Sequence, residues 1–198
     1  KASVAETAGL GVDVHCLMIG FGWIPWWDSK VYPLKEHYRW AQEEFGGRPD
    51  YEIMEYVYNG GDIVNPYIEA CRKAGQLAFA TFRMNDCHLL ENVMADKDKR
   101  HRNAPNHVPR FIADNPQYMI GRGKVTGWNG VPLDYAIKEV RDYKFALLEE
   151  LFTMYDLDGV ELDFLRYVNY FQLYSTTPEQ RVTIMTNFIK RIRKMLDD

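Results

Sequence analysis

The stretch YDLDGVELDFLRY, residues 155–167, governs the reading of the whole chain. Its first residues close a helical pattern, Asp158-Gly159 marks a turn, and VELDF reads as a short strand. Successive strand side chains point to opposite faces, so Glu161, Asp163 and Leu165 share one face while Val160, Leu162 and Phe164 share the other. The apolar set suits packing beneath helices. The acidic set is costly to bury unless paired, hydrogen-bonded or protonated. Carboxylates in such positions are where acid–base chemistry is done. A structural ion pair with Arg83 or Arg166 is the plainer alternative.

Outward from this stretch, the same order of elements recurs. Asn65-Pro66 offers a cap residue followed by Pro at the first helical position, the helix PYIEACRKA stops at Gly75, and QLAFATF (76–82) follows as a buried strand. A second helix from about Asp134 buries Ile137, Val140, Leu147, Leu148 and Leu151 and leads into VELDF. VDVHCLMIGFG (12–22) reads as a further strand, and PLKEHYRWAQEEF as a helical piece beyond it. The last helix has Thr177 as cap, Pro178 at its first position and Gln180 to close a capping box. Helix-to-strand links are one or two residues, whereas strand-to-helix links are long, from about Phe21 to Asp62 and from Arg83 to Leu133.

Those proportions predict parallel β/α units with the long loops gathered at the carboxyl ends of the strands, where α/β folds bind ligands. The expected class is α/β, a (β/α)8 TIM-barrel type. Because such barrels typically need about 250 residues, the chain is expected to cover about the N-terminal half. One β/α domain over residues 1–198, incomplete at its C-terminus, is the corresponding organisation.

The 198 residues are 46% hydrophobic and 26% charged, ordinary for a globular chain, and the formal net charge of -4 with no Lys/Arg stripe argues against nucleic acid as the partner. No apolar run is long enough to span a membrane. Cys16, Cys71 and Cys87 match no metal or redox spacing, and no HExxH or phosphate loop in strand-to-helix context is present, so no cofactor is expected. The chain begins KASVAETAG without Met, so the lack of a leader tells little; the location is left open, with a secreted or periplasmic one slightly favoured.

Two further groups sit where chemistry is expected. RMNDCH (83–88) puts Arg83, Asn85, Asp86 and His88 directly after a strand, a set able to bind sugar hydroxyls, orient a carboxylate or supply a proton. Loop capping with one ion pair is the alternative. Trp23, Trp26 and Trp27 follow the first strand, Trp128 lies in the middle loop, and Tyr167, Tyr170, Phe171 and Tyr174 follow the acidic strand. Flat rings on a loop face suit pyranose rings, and also aromatic or peptide ligands. Asp13 and His15 alternate in the first strand, and with Asp163 they make a weaker, metal-dependent alternative.

YDLDGVELDFLRY, WWDSKVYPLKEHYRWAQEEF and FRMNDCHLLEN together resemble the bacterial glycosyl hydrolase-like (β/α)8 barrels. The strand is more distantly similar to the family 18 pattern D-G-x-D-x-D-x-E. Asp158-Gly159 and Asp163 match it, Glu161 replaces an Asp, and Leu165 stands where the catalytic Glu would be. The resemblance implies glycoside hydrolysis on a poly- or oligosaccharide, without substrate-assisted chitinase chemistry. Asp163 would be nucleophile or base, Glu161 would tune it by like-charge proximity, and Asp86 is a candidate acid partner. Trp26, Trp27, Arg83, Asn85, His88, Arg166 and Tyr167 would contact the sugar. The competing expectation is a non-catalytic carbohydrate-binding barrel that has lost its acid, as Leu165 suggests.

Overall fold

A computed structural model describes residues 2–125, 127, 129–165 and 167–197. Three strands, β1 (Val14–Met18), β2 (Leu77–Arg83) and β3 (Gly159–Asp163), form one parallel sheet in the order β1-β2-β3. Val14 lies opposite Leu77 and Met18 opposite Thr81, while Phe79 lies opposite Gly159 and Arg83 opposite Asp163. Among the described residues the helices are α1 (Ala2–Thr7), α2 (Leu34–Phe45), α3 (Glu52–Tyr58), α4 (Val64–Ala74), α5 (Ala104–His107), α6 (Arg110–Ala113), α7 (Lys138–Met154) and α8 (Pro178–Asp197). None of them is long and apolar enough to cross a membrane.

Local chemistry explains the boundaries. α4 ends at Gly75, whose φ of 71° is the left-handed turn that glycine adopts without a Cβ penalty. Its start differs from expectation. The Asp62 carboxylate takes the N–H groups of Val64 at 2.8 Å and Asn65 at 3.3 Å from just ahead of the N-cap residue Ile63, and Asn65 is already helical. α8 opens on the expected capping box, with the Thr177 N–H on Gln180 Oε1 at 2.8 Å and the Gln180 N–H on Thr177 Oγ1 at 3.3 Å. α7 starts at Lys138, later than Asp134, because the Asp134 carboxylate is spent on Arg122 at 2.6 Å and the Ala136 N–H at 2.9 Å. The Asp158-Gly159 turn ties two strands together. Asp158 Oδ2 accepts the Ala78 N–H at 2.8 Å, and the Asp158 N–H returns to the Ala78 carbonyl at 3.0 Å.

One face of the sheet is packed. Ala78, Ala80 and Phe82 of β2 lie beside Leu17, Val160, Leu162 and Phe164. They join Ile68 and Cys71 of α4, Leu147, Leu148 and Leu151 of α7, and Phe188 and Ile192 of α8 in one core. The other face is open: Val14, Cys16, Leu77 and Glu161 are exposed, and Phe79, Thr81, Arg83 and Asp163 are half-buried.

The expected (β/α)8 barrel is therefore not formed. Among the described residues there are three strands in an open sheet, and the outer edges of β1 and β3 carry no partner strand. A barrel requires the sheet to close on itself with strand number, tilt and stagger all consistent, and three strands do not close. The face bearing Glu161 and Asp163 was expected to point into a packed interior, and it meets solvent.

Candidate functional site

The carboxyl end of β2 leads straight into Arg83, Met84, Asn85, Asp86, Cys87 and His88. Asp86 is 3% exposed, and each of its oxygens is engaged. Oδ2 accepts Arg83 Nη1 at 2.9 Å, and Oδ1 takes both the His88 backbone N–H at 3.0 Å and His88 Nδ1 at 2.6 Å. Burial alone would push this carboxyl up. The His88 side-chain and backbone bonds, the His88 charge and the Arg83 bond outweigh it and hold Asp86 well below the usual carboxylate range.

Two buried devices fix the loop. Asn85, 2% exposed, donates to the carbonyls of Leu133 and Asn169, both at 2.9 Å, and accepts the Leu133 N–H at 3.0 Å. Its amide thus clamps three segments. Lys144 is 0% exposed on the packed side of α7. Its ammonium donates to the carbonyls of Gly22 and Arg83, the second at 3.1 Å, and sits 3.8 Å from the centre of the Trp23 ring. Burial pushes Lys144 well below the ordinary lysine value, and the Asp86 charge pulls it back up. Gly22 completes the junction. Its φ is 61°, and a Cβ there would come within 2.7 Å of Asp86 Cβ. The Trp23 indole N–H donates to the Asp86 carbonyl at 2.8 Å.

Aromatic rings pack around His88. The His88 ring lies 5.7 Å from that of His107 and 5.4 Å from that of Tyr167. His107 in turn meets Phe21 at 4.5 Å and Tyr51 at 5.9 Å, and its buried Nδ1 has no hydrogen-bond partner among the described residues. Burial, reinforced by His88, Arg83 and His101 and opposed by Asp86, pushes His107 down to about 4.

On β3, Asp163 stands opposite Arg83, and its Oδ1 accepts the Leu165 N–H at 2.9 Å. Its other oxygen has no hydrogen-bond partner among the described residues. Burial first, then the Asp163 charge, raises the Tyr170 phenol above its ordinary range. Glu161, two residues earlier on the same face, is exposed and accepts the Thr81 hydroxyl at 2.6 Å.

The structure thus gathers Arg83, Asp86, His88 and Tyr167 at one end of the sheet, with Asp163 beside them and Glu161 further back along the strand. It does not bring Trp26 and Trp27 there as open platforms. Both are buried, Trp26 edge-on to Phe21 and Trp27 with its indole N–H on Glu150 at 2.9 Å. Asn85 is present but consumed by backbone groups. Arg166 and Trp128 lie outside the described residues. Tyr170 is buried, Phe171 half-buried, and Tyr174 is 97% exposed away from this cluster. His15 lies on the helix side of the sheet, 5.6 Å ring to ring from Tyr67, and Asp13 precedes β1. Neither of them shares a face with Asp163. Among the described residues no group of three or more His, Cys, Asp or Glu could hold a metal ion.

Sequence reasoning passed over Lys144, Gly22, Phe21 and His107. Lys144 had a signal, since it sits four residues from both Val140 and Leu148, on the apolar stripe of α7. His107 had none, because its neighbours Phe21 and His88 come from different loops. No protein-family model matches the chain, and no curated protein matches it in sequence.

Proposed function

We propose that the carboxyl end of this sheet binds a carbohydrate and hydrolyses a glycosidic bond, with Asp163 as the carboxylate that acts on the reacting carbon or its water. The observation that carries the reading is the line of polar groups from Asp163 through Arg83 and Asp86 to His88, walled by the Tyr167 and His107 rings. Sugars are recognised by that combination, with charged groups on hydroxyls and ring faces on the C–H surface. Asp163 is half-buried and has one oxygen unengaged among the described residues, which suits a base or nucleophile.

One observation favours a second reading, a site that binds sugar without cleaving it. Asp86, the candidate acid partner, has both oxygens engaged and is held ionised, so it has no proton to donate. Reducing-sugar release from a polysaccharide panel separates the readings. Asp163→Asn keeps the Oδ1 acceptor for Leu165 and removes the charge. Hydrolysis by wild type that disappears in Asp163→Asn supports the hydrolase. Binding of panel sugars by calorimetry with no release from either form supports the binder, and release unaffected by the substitution refutes the role given to Asp163.

A further inference from the structure

Hydrolysis at this site needs a proton donor, and Asp86 does not qualify. We infer that His88 is the catalytic acid that protonates the departing sugar oxygen, and that Asp86 is its positioning residue, an inference that rests on the hydrolytic reading above.

The geometry is that of an oriented imidazole. Asp86 Oδ1 holds His88 twice, at Nδ1 and at the backbone N–H, so both the ring and its attachment are fixed from one oxygen. The carboxylate cannot swing away, because it is buried and its other oxygen is bonded to Arg83. A carboxylate behind Nδ1 sets the tautomer and directs Nε2 away from itself. The His88 side chain is 24% exposed, so part of the ring meets solvent while the carboxylate behind it stays buried.

Asp163 is close in the network. It faces Arg83 across the β2–β3 register, and Arg83 is bonded to the carboxylate that holds His88. Paired strands lie about 4.8 Å apart, so the backbones that carry Arg83 and Asp163 are direct neighbours at the end of the sheet.

The other proton-carrying groups nearby do not fit the role. The Lys144 ammonium is fully buried on two carbonyls. His107 is held neutral, its value pushed down to about 4 mainly by burial. Glu161 is exposed and further from the strand end, on the Thr81 hydroxyl.

The step balances with water as the only co-reactant. The His88 imidazolium gives its Nε2 proton to the glycosidic oxygen as the C1–O bond breaks, and the bond pair stays on that oxygen. A water oxygen forms the new bond to C1, and Asp163 takes the proton the water loses. His88 ends neutral and Asp163 protonated, and exchange with solvent restores both.

An acid matters only when the leaving group needs a proton, and that gives the test. Wild type, His88→Gln and His88→Asn are assayed on cello-, xylo-, manno- and chito-oligosaccharides and on the 2,4-dinitrophenyl glycosides of the same sugars, whose leaving group departs unprotonated. The expected result is a loss of about 10²–10⁴-fold on oligosaccharides, with a loss below about tenfold on the activated glycosides. Asp86→Asn is expected to slow oligosaccharide cleavage and to shift the imidazole ¹⁵N signals of His88 away from the Nδ1–H form. Unchanged signals would remove Asp86 from its role. Equal losses on both substrate types, unimpaired oligosaccharide cleavage, or loss of the melting transition in both His88 variants would each overturn the assignment while wild-type hydrolysis stands. Wild type that cleaves neither substrate type would instead refute the hydrolytic reading, and the His88 role with it.

Discussion

Glu150 on α7 is the acceptor for four donors from the loop after β1, and replacing it tests how that loop is held. Oε2 takes the Trp27 indole N–H at 2.9 Å and the Ser29 hydroxyl at 2.5 Å, while Oε1 takes the backbone N–H groups of Lys30 at 2.6 Å and Val31 at 3.1 Å. Trp27 and Ser29 are buried. Glu150→Gln keeps one oxygen, which the two backbone donors retain, and turns an amide N–H₂ toward Trp27 and Ser29. The Ser29 hydroxyl can rotate to accept, but the indole N–H is left without an acceptor, at a cost of about 1–3 kcal/mol. The remaining bonds fall from charge-assisted to neutral strength and lose about 1 kcal/mol more in total. The expected destabilisation is about 3 kcal/mol, or roughly 6–12 °C in Tm for a chain of this size. Urea unfolding followed by tryptophan fluorescence at pH 7 measures it. A double-mutant cycle with Trp27→Phe, which removes the stranded donor, should show coupling of about 1–2 kcal/mol. A Gln variant within about 0.5 kcal/mol of wild type, or a cycle with no coupling, would refute this account of the clamp.

His37 predicts acid sensitivity of the fold. Its Nδ1 is hydrogen-bonded with the Tyr32 hydroxyl and its Nε2 donates to the Pro105 carbonyl, both at 2.9 Å, and burial pushes the ring down to about 4 from 6.5. The unfolded chain takes up the proton first, so stability is complete above about pH 6.5 and is lost as the pH falls toward 4, with His107 adding in the same direction. His37→Gln should flatten the fall in urea midpoint between pH 7 and 4.5, and an undiminished slope would disprove it. Gly22→Ala forces a Cβ onto a residue with φ of 61° and into Asp86. It should cost about 2 kcal/mol or more in urea unfolding, and an effect below about 0.5 kcal/mol would contradict the close approach. Asn85→Ala strands two carbonyls and one N–H of Leu133 and Asn169, so about 3 kcal/mol is expected. Faster amide exchange at Leu133 should accompany it, and unchanged exchange would show that the clamp is not needed.

The three strands, their parallel sense and the capping box of α8 were legible because each depends on residues near one another in sequence. Val160, Leu162 and Phe164 face the helices as alternation requires. Barrel closure was not legible, because it depends on strands pairing across a gap and no local pattern reports that. The same limit explains Trp27. A tryptophan in a Gly/Pro-rich loop reads as exposed, and its burial is set by Glu150, 123 residues further along. In the candidate site, RMNDCH was legible as a polar cluster, yet what its residues contact depends on partners the motif does not contain. Asn85 is consumed by Leu133 and Asn169, and Asp86 is fixed as much by Gly22 and Trp23 from another loop as by its own neighbours. Asn65 does not cap α4 because the helix begins one residue earlier, at Val64, where the Asp62 carboxylate accepts the first N–H groups.

The Lys144 ammonium joins carbonyls that lie 122 and 61 residues earlier in the chain. Contacts of such separation form late, since the loop-closure entropy must be met before they stabilise anything. During synthesis β1 and β2 leave the ribosome well ahead of α7, and until that helix docks, the Gly22 and Arg83 carbonyls hydrogen-bond to water. The order of translation therefore separates having the side chains from having their arrangement. Arg83, Asp86 and His88 exist as a peptide long before Lys144 joins the two loops that hold them.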